Sequence, residues 1–326
     1  MFRLIQVPLD GSPFAEHALP LAVGLAQRDR ATLHVVRVYV PIADVYLYRH
    51  GPLYANLDQE LMEHTCNSLD AIVASIAEST GFRATPVPLR GAVAETIVQH
   101  ASTSGADLLI MTTQGRGPLS RFWFGSVADS LVRQSSIPIL FVRPQEETPD
   151  FAQPPTVRHV LIPLDGSQLA EQALEPALNL GNADQGEYTL LRVVPAILPA
   201  AYDPISGRVN VGLYTSWHQQ LNDLKRQLEG EAQDYLEQLA ERLRAQSLQV
   251  HTRVMSHEQP ATAILDTASS LGTDAIALTT RGQGGLKRLL LGSIADKVLR
   301  GATMPVLICP PVNESIAIGD RPNSQN

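Results

Sequence analysis

The chain has 326 residues, roughly twice the 100 to 200 of a typical domain, so two domains in one polypeptide are expected. Hydrophobic residues at 44% and charged residues at 18% exclude wholesale disorder and fibrous repeats, and leave each half enough apolar material for a core. A formal charge of -8, from 25 Lys and Arg against 33 Asp and Glu, argues against binding to a nucleic-acid backbone as the main activity.

From the N-terminus, a β-branched run predicts a strand over Leu4–Leu9. It runs into Asp10-Gly11-Ser12, and Pro13 suits the first turn of a helix over Pro13–Arg28. Next come a strand over Thr32–Val38, a helix over Leu57–Thr80, a strand over Ala84–Leu89 and a helix over Val93–Thr103. A strand over Leu108–Thr112, a helix over Ser126–Gln134 and a strand over Ile139–Val142 complete the half. Strands apolar along their whole length, such as Leu108-Leu109-Ile110-Met111, point to burial on both faces, as in a parallel sheet covered by helices.

Residues 145–156 are charged and proline-rich with no apolar period, and read as a linker between a domain over 1–144 and a second over 157–311. The polar tail over 312–326 is expected to be disordered.

The second half repeats the first. Leu-Ile-Gln-Val-Pro-Leu-Asp-Gly-Ser at 4–12 returns as His-Val-Leu-Ile-Pro-Leu-Asp-Gly-Ser at 159–167. Thr112-Thr113-Gln114-Gly115-Arg116-Gly117, followed by Gly125-Ser126, returns as Thr279-Thr280-Arg281-Gly282-Gln283-Gly284, followed by Gly292-Ser293. The offset grows from 155 to 167, so a net insertion of 12 residues lies between Val194 and Gln249. The fold class is α/β: two tandem doubly wound domains, each a five-stranded parallel sheet with helices on both faces. The final apolar runs Pro138–Val142 and Pro305–Cys309 should lie at sheet edges, which need covering.

Cys66 and Cys309 stand far apart with no CxxC and no Cys/His ligand spacing, so neither zinc nor a disulfide framework is expected. A reducing, cytoplasmic setting follows. The first ten residues reach Pro8 and Asp10 too soon for a signal-peptide core. The weakly polar stretch at Val193–Ala201, broken by Pro195 and Pro199, falls short of the about 18 apolar residues of a membrane helix. No membrane partner is expected.

In an open parallel sheet the ligand crevice forms beyond the carboxyl ends of the strands, where strand order reverses. Asp10-Gly11-Ser12 and the Gly115–Ser126 segment both follow such ends, as do their second-copy counterparts. Glycine lets backbone approach an anion closely, and Gly-Ser at a helix start aims free N–H groups and a hydroxyl into the same space, a combination suited to phosphate. The plainer alternative makes Ser126 and Ser293 helix N-caps, with the glycines serving loop geometry. Neither a P-loop nor a dinucleotide fingerprint occurs. Asp10 with Ser12 could suggest a base and a nucleophile, but no histidine recurs in both copies, and an Asx-type turn is the expected role. His64, His100, His218 and His251 lack metal spacing and are expected on helix surfaces or in solvent. Arg116, Arg121, Lys287 and Arg288 could screen phosphate charge, and Val45–His50 and Tyr202–Tyr214 could form a lid or a subunit interface.

Both halves resemble universal stress protein domains, over nearly the whole chain. Nucleotide-binding members of that family carry Gly-x2-Gly-x9-Gly-Ser/Thr, and Gly115-x9-Gly125-Ser126 and Gly282-x9-Gly292-Ser293 match its last three elements. Thr112 and Thr279 replace its first glycine. The resemblance implies an ATP or AMP ligand, with Mg²⁺ as a companion of the phosphates and no dedicated metal site. Asp10 and Asp165 would hold the ribose or a phosphate-bound metal, Val38 and Val193 would offer backbone to adenine, and the glycine loops with Ser126 or Ser293 would take the phosphates.

The implied contact set in the first copy is Pro8, Asp10, Ser12, Val38, Gly91, Thr112, Gly115, Arg116, Gly117, Gly125, Ser126 and Val127. In the second it is Pro163, Asp165, Ser167, Val193, Thr279, Gly282, Gly284, Gly292, Ser293 and Ile294. Family members often have Gly-x-Pro before the third helix, where Gly91-Ala92-Val93 and Glu258-Gln259-Pro260 each keep half, and Glu258 adds a negative charge. Pairing of the two last strands within the chain, a homodimer and an unidentified protein partner are the assemblies implied. Three function classes follow: a regulatory nucleotide-binding stress-response protein, a slow ATPase, and a nucleotide-free scaffold.

Overall fold

The computed structural model describes residues 1–41, 52–113, 125–144, 149–152, 154–182, 185–196, 211–280 and 291–311, with 52–57 and 211–218 as backbone alone. The first copy runs β1 (Leu4–Leu9), α1 (Pro13–Glu16), α2 (Leu19–Asp29), β2 (Thr32–Tyr39), α3 (Pro52–Thr80), β3 (Thr85–Arg90), α4 (Val93–Ser104), β4 (Leu108–Thr112), α5 (Ser126–Gln134) and β5 (Ile139–Val142). The second runs β6 (His159–Pro163), α6 (Gln168–Glu171), α7 (Leu174–Leu180), β7 (Glu187–Val194), α8 (Val211–Arg244), β8 (Gln249–Ser256), α9 (Pro260–Leu271), β9 (Ala275–Thr279), α10 (Ser293–Gly301) and β10 (Val306–Cys309).

The helix expected over Pro13–Arg28 is two helices, separated at His17–Ala18. Pro20 has no N–H to give to the carbonyl of Glu16, so the ladder breaks there. Pro176 has the same relation to Gln172, and α6 and α7 part at the same place. Pro86 and Pro88 sit in β3, which ends the sheet, so their missing donors face no neighbouring strand.

The ten strands form one sheet in the order β3-β2-β1-β4-β5-β10-β9-β6-β7-β8. Within each copy the pairing is parallel, and the copies join through antiparallel β5 and β10, with Phe141 opposite Val306 and Ile139 opposite Ile308. These strands are buried apolar edges, and each covers the other. One apolar layer contains Ile5, Val7, Leu33, Leu69 and Ile76 with Val160, Ile162, Leu190 and Leu236. The opposite layer contains Leu109, Phe141, Ile97 and Leu131 with Leu161, Ile276, Ile264 and Val298.

The seam extends beyond the sheet. Arg28 donates to the carbonyls of Asn179 and Leu180 (2.6 Å each) at the end of α7, while its own neighbour Asp29 holds it at 2.6 Å. Cations at a helix C-terminus satisfy orphan carbonyls and complement the dipole. The linker is no bare tether: Phe151 packs on the core and Pro154 lies against Gly24 of α2. No described helix is long and apolar enough to cross a membrane. Both cysteines are free, and burial pushes the Cys309 thiol up to about 12, which keeps it inert.

Candidate functional site

From β1 the chain lays β2 and β3 to one side, then crosses to β4 and β5 on the other. The reversal falls between β1 and β4, and in the second copy between β6 and β9. Gln6 lies opposite Leu109, and Leu161 opposite Ile276, so Leu9 is level with Thr112 and Leu164 with Thr279. The Asp-Gly-Ser loop and the threonine pair therefore leave the sheet side by side in each copy.

The loop is built alike both times. Asp10 Oδ1 accepts from Ser12 N (2.8 Å) and Ser12 Oγ (2.6 Å), and Asp165 Oδ1 accepts from Ser167 N (3.0 Å) and Ser167 Oγ (2.6 Å). Ser12 and Ser167 then cap α1 and α6 by accepting from Ala15 N and Ala170 N. The turn needs Gly11 at φ +79 and Gly166 at φ +82, a region that side chains avoid. This is the Asx-type turn read from the sequence. His17 in the first copy is turned to the Pro13 and Phe14 carbonyls (3.1 and 3.3 Å).

Across the crevice, the N-caps of α5 and α10 are Gly125 and Gly292, with extended backbone (φ -63, ψ 148 and φ -61, ψ 149) and no side-chain cap bond. Ser126 and Ser293 are thus not caps, correcting that alternative; both are the first helical residues and both are exposed. Among the described residues no cap side chain accepts from the first-turn N–H groups, and no described atom lies within 4 Å of a Cβ placed on Gly125. Val127 is half-buried beside Ser126, whereas Ile294 is 41% exposed.

Thr112 and Thr279 are buried at the ends of β4 and β9. Gly292 N donates to the Thr280 carbonyl (2.7 Å), tying the start of α10 to the end of β9. Pro8 and Pro163 lie within β1 and at the end of β6. Val38 and Val193 are the penultimate strand residues, one step short of the ends expected. The Tyr39 carbonyl accepts from Gly91 N and the Val194 carbonyl from His257 N (3.1 Å each). Because alternate residues of a strand point their backbone groups to opposite sides, Val38 and Val193 turn theirs toward β1 and β6.

Gly91 has φ +146, and a Cβ there would meet Thr96 Oγ1 at 2.5 Å. The same bond is made in the second copy by His257, in a loop one residue longer before its helix. Glu258 is therefore not the backbone counterpart of Gly91, and it is exposed. Gly115, Arg116, Gly117, Arg121, Gly282, Gly284, Lys287 and Arg288 lie outside the described residues, as do 42–51, 197–210 and the tail from 312.

Several residues at the strand ends carried no sequence signal. In the first copy the Tyr39 hydroxyl donates to Asp58, which also faces Arg90 at 3.5 Å. Arg37 donates to Ser68 Oγ (2.5 Å). In the second copy Arg192 stacks over the Tyr235 ring (5.5 Å) and packs against Gly166, and the Tyr235 hydroxyl donates to Glu171 (3.1 Å). Burial, then the Glu171 carboxylate, pushes the Tyr235 phenol well above its ordinary value. These contacts join residues far apart in the chain, and no spacing rule brings them together. His100, expected at a helix surface, instead bonds Gln6 and faces His34. Among the described residues, no group of three or more His, Cys, Asp or Glu could hold a metal ion.

The profile of the universal stress protein family matches this chain twice, over residues 1–143 and 156–310. The chain belongs to the universal stress protein family. A universal stress protein of Mycolicibacterium smegmatis is 25% identical over 322 residues, 94% of this chain and 97% of that relative. One of Thermus aquaticus is 32% identical over 144 residues, 44% of this chain and the whole of that protein. The crystal structure of a universal stress protein from Archaeoglobus fulgidus shares the fold with a TM-score of 0.59 at 18% identity, covering 96% of this chain and 97% of the other. Full-length tandem relatives and single-copy relatives thus both exist, as expected of a duplicated unit.

Proposed function

We propose that the chain is a regulatory adenine-nucleotide-binding protein, taking ATP or AMP in the crevice at the switch point of each copy. The observation that carries this reading is the twofold recurrence of one constellation: an Asx-turn carboxylate level with a threonine strand end, facing a glycine-capped helix start. Phosphate would meet the first-turn N–H groups and the Ser126 or Ser293 hydroxyl. The outer oxygens of Asp10 and Asp165 would take ribose hydroxyls or a phosphate-bound Mg²⁺. Adenine would lie against the Val38 and Val193 backbone. Family membership and the glycine spacing support the assignment. Chemistry is not required of the site: no histidine recurs in both copies to serve as a base, so the nucleotide is read as a ligand that biases packing.

Titration calorimetry of ATP and AMP on stripped protein tests the reading. Binding that Asp10→Asn and Asp165→Asn weaken together, with circular dichroism unchanged, is the expected result. Asn keeps the oxygen that accepts from Ser12 or Ser167, so the turn survives while the charge is lost. Multiple turnover of ATP abolished by the same variants would favour the ATPase instead. Absence of heat with ATP and AMP would leave the scaffold, with buried Thr112 and Thr279 closing the crevice.

A further inference from the structure

Beneath α4, the first copy holds an imidazole pair. His34 on β2 lies opposite Gln6 on β1 and Thr85 on β3, and His100 descends from α4 onto the same face. The rings are 5.4 Å apart and tilted by 46°. Gln6 is fully buried, and its Nε2 donates to the Ile97 carbonyl (3.1 Å). Its Oε1 is therefore the acceptor facing His100 Nδ1 (2.8 Å), so that nitrogen carries the proton. His34 Nδ1 is buried with no hydrogen-bond partner among the described residues. A proton gained at His34 would leave Nδ1 without an acceptor, and a second charge would meet a like-charged neighbour.

Among the described residues, no carboxylate compensates. Around the pair, β1 contributes Leu4 and Gln6, β2 Thr32 and Val36, and β3 Thr85 and Val87. On α4, Glu95 and Gln99 are exposed, and Arg83 before β3 is exposed. Asp107, leading into β4, is occupied by Arg3 N (2.9 Å), Leu4 N (3.2 Å) and the Arg3 side chain (3.5 Å). Asp129 on α5 is engaged by Arg133 (2.9 Å). Burial lowers the proton affinity of both imidazoles, and His100 adds repulsion at His34.

The second copy arranges the same place differently. Leu161, Thr189 and Thr267 occupy the positions of Gln6, His34 and His100. Two of its histidines, His159 and His251, lie on the strands, and both face Glu187 (3.9 and 3.4 Å). Burial also pulls the His159 imidazole down, but Glu187 and Asp274 oppose that pull. A proton gained there meets a counter-charge.

We propose that the His34–His100 pair is an acid-operated latch that seats α4 on the sheet of the first copy alone. Neutral rings hold α4 down; a proton gained by either ring lifts it. Because α4 begins just beyond Gly91 and packs against α5, release reaches the walls of the first crevice, and the second copy carries no such pair under α9. The sign follows from linkage: the unfolded or lifted state binds more protons, so the seating is strongest above the ordinary imidazole value of about 6.5 and is lost as pH falls below it. The latch needs no bound nucleotide.

Hydrogen exchange of the full chain at about pH 7.5 and about pH 5, corrected for intrinsic rates, tests it. Amides of α4 should gain about tenfold or more in exchange relative to those of α9 at the acid pH, because every tenfold by which seating weakens proton binding is returned as a tenfold gain in opening. His34→Thr with His100→Thr, which installs the second copy's residues, should abolish the difference. Equal responses of α4 and α9 in the unmodified chain would overturn the latch. Imidazole proton NMR of the unmodified chain gives a second readout that requires no variant. Titration of both rings below the ordinary histidine range supports the pair, and titration at the ordinary value overturns it.

Discussion

The two copies share a backbone scheme and differ in what surrounds it. Each closes its first strand with an aspartate-anchored turn, seats a threonine at the end of the adjacent strand, and opens the opposing helix on a glycine. Beside that frame, the first copy sets Tyr39, Asp58 and Arg90 at its strand ends and anchors Arg37 on Ser68, whereas the second stacks Arg192 on Tyr235. The recurring residues are those the backbone cannot do without: a left-handed glycine, a cap, an Asx acceptor. Side chains that only line the crevice or fill under a helix have diverged, so the copies are equivalent in geometry and unequal in chemistry.

The strongest way to break the comparison is at the seam, which the copies share. Phe141, 1% exposed in β5 opposite Val306, lies in an apolar layer built by both copies, and Phe141→Ala should remove about 3–5 kcal/mol. Denaturant unfolding should remain one transition displaced to lower concentration; separation into two transitions would show that the copies fold apart. Next is Arg28→Ala, which strips two carbonyls of α7 and leaves the Asp29 side chain, 2% exposed, without its ion pair, for a loss of about 1–3 kcal/mol.

Burial raises the Asp29 carboxyl, but the Arg28 contacts and the Phe2 N–H outweigh it and hold the group below the usual carboxylate range. That stabilisation is present above about pH 4 and is lost as pH falls through the lowered native value. In Arg28→Ala the acid limb of a stability-against-pH curve should flatten accordingly.

Ser12→Ala and Ser167→Ala sharpen the comparison, because the two caps are built alike. Each should lower stability by about 1 kcal/mol, and unequal losses in thermal unfolding would mean that the two turns bear different loads. The smallest effect is expected at the exposed pair Asp129–Arg133 and its counterpart Asp296–Arg300, where alanine at the acid should change stability by no more than about 0.5 kcal/mol.

Strand identities and the duplication were legible because each rests on local composition or on periodicity, and the pairing of the two last strands was implied by the family resemblance. Leu108–Thr112 reads as a buried strand from its residues alone. The break between α1 and α2 was legible in principle from Pro20, whose effect acts four residues upstream of where it is written. The site was legible as a set of loops, since Asp10, Gly125 and their repeats announce turns and helix starts. The fine placement was not. Gly125 rather than Ser126 takes the cap because the serine already has helical backbone, and Glu258 slips by one because the loop after β8 is longer. His100 reads as solvated until β1 and β2 bring Gln6 and His34 beneath it. Contacts across about 90 residues follow from topology, and no window of sequence contains them.

The central claim is that both crevices hold adenine nucleotide. Acid denaturation of the purified full chain, followed by chromatography of the released small molecules and calorimetric refilling with ATP or AMP, counts the sites. Adenine nucleotide should approach two per chain after refilling and fall to one with either Asp10→Asn or Asp165→Asn. Release of none, with no heat from ATP or AMP, would contradict it.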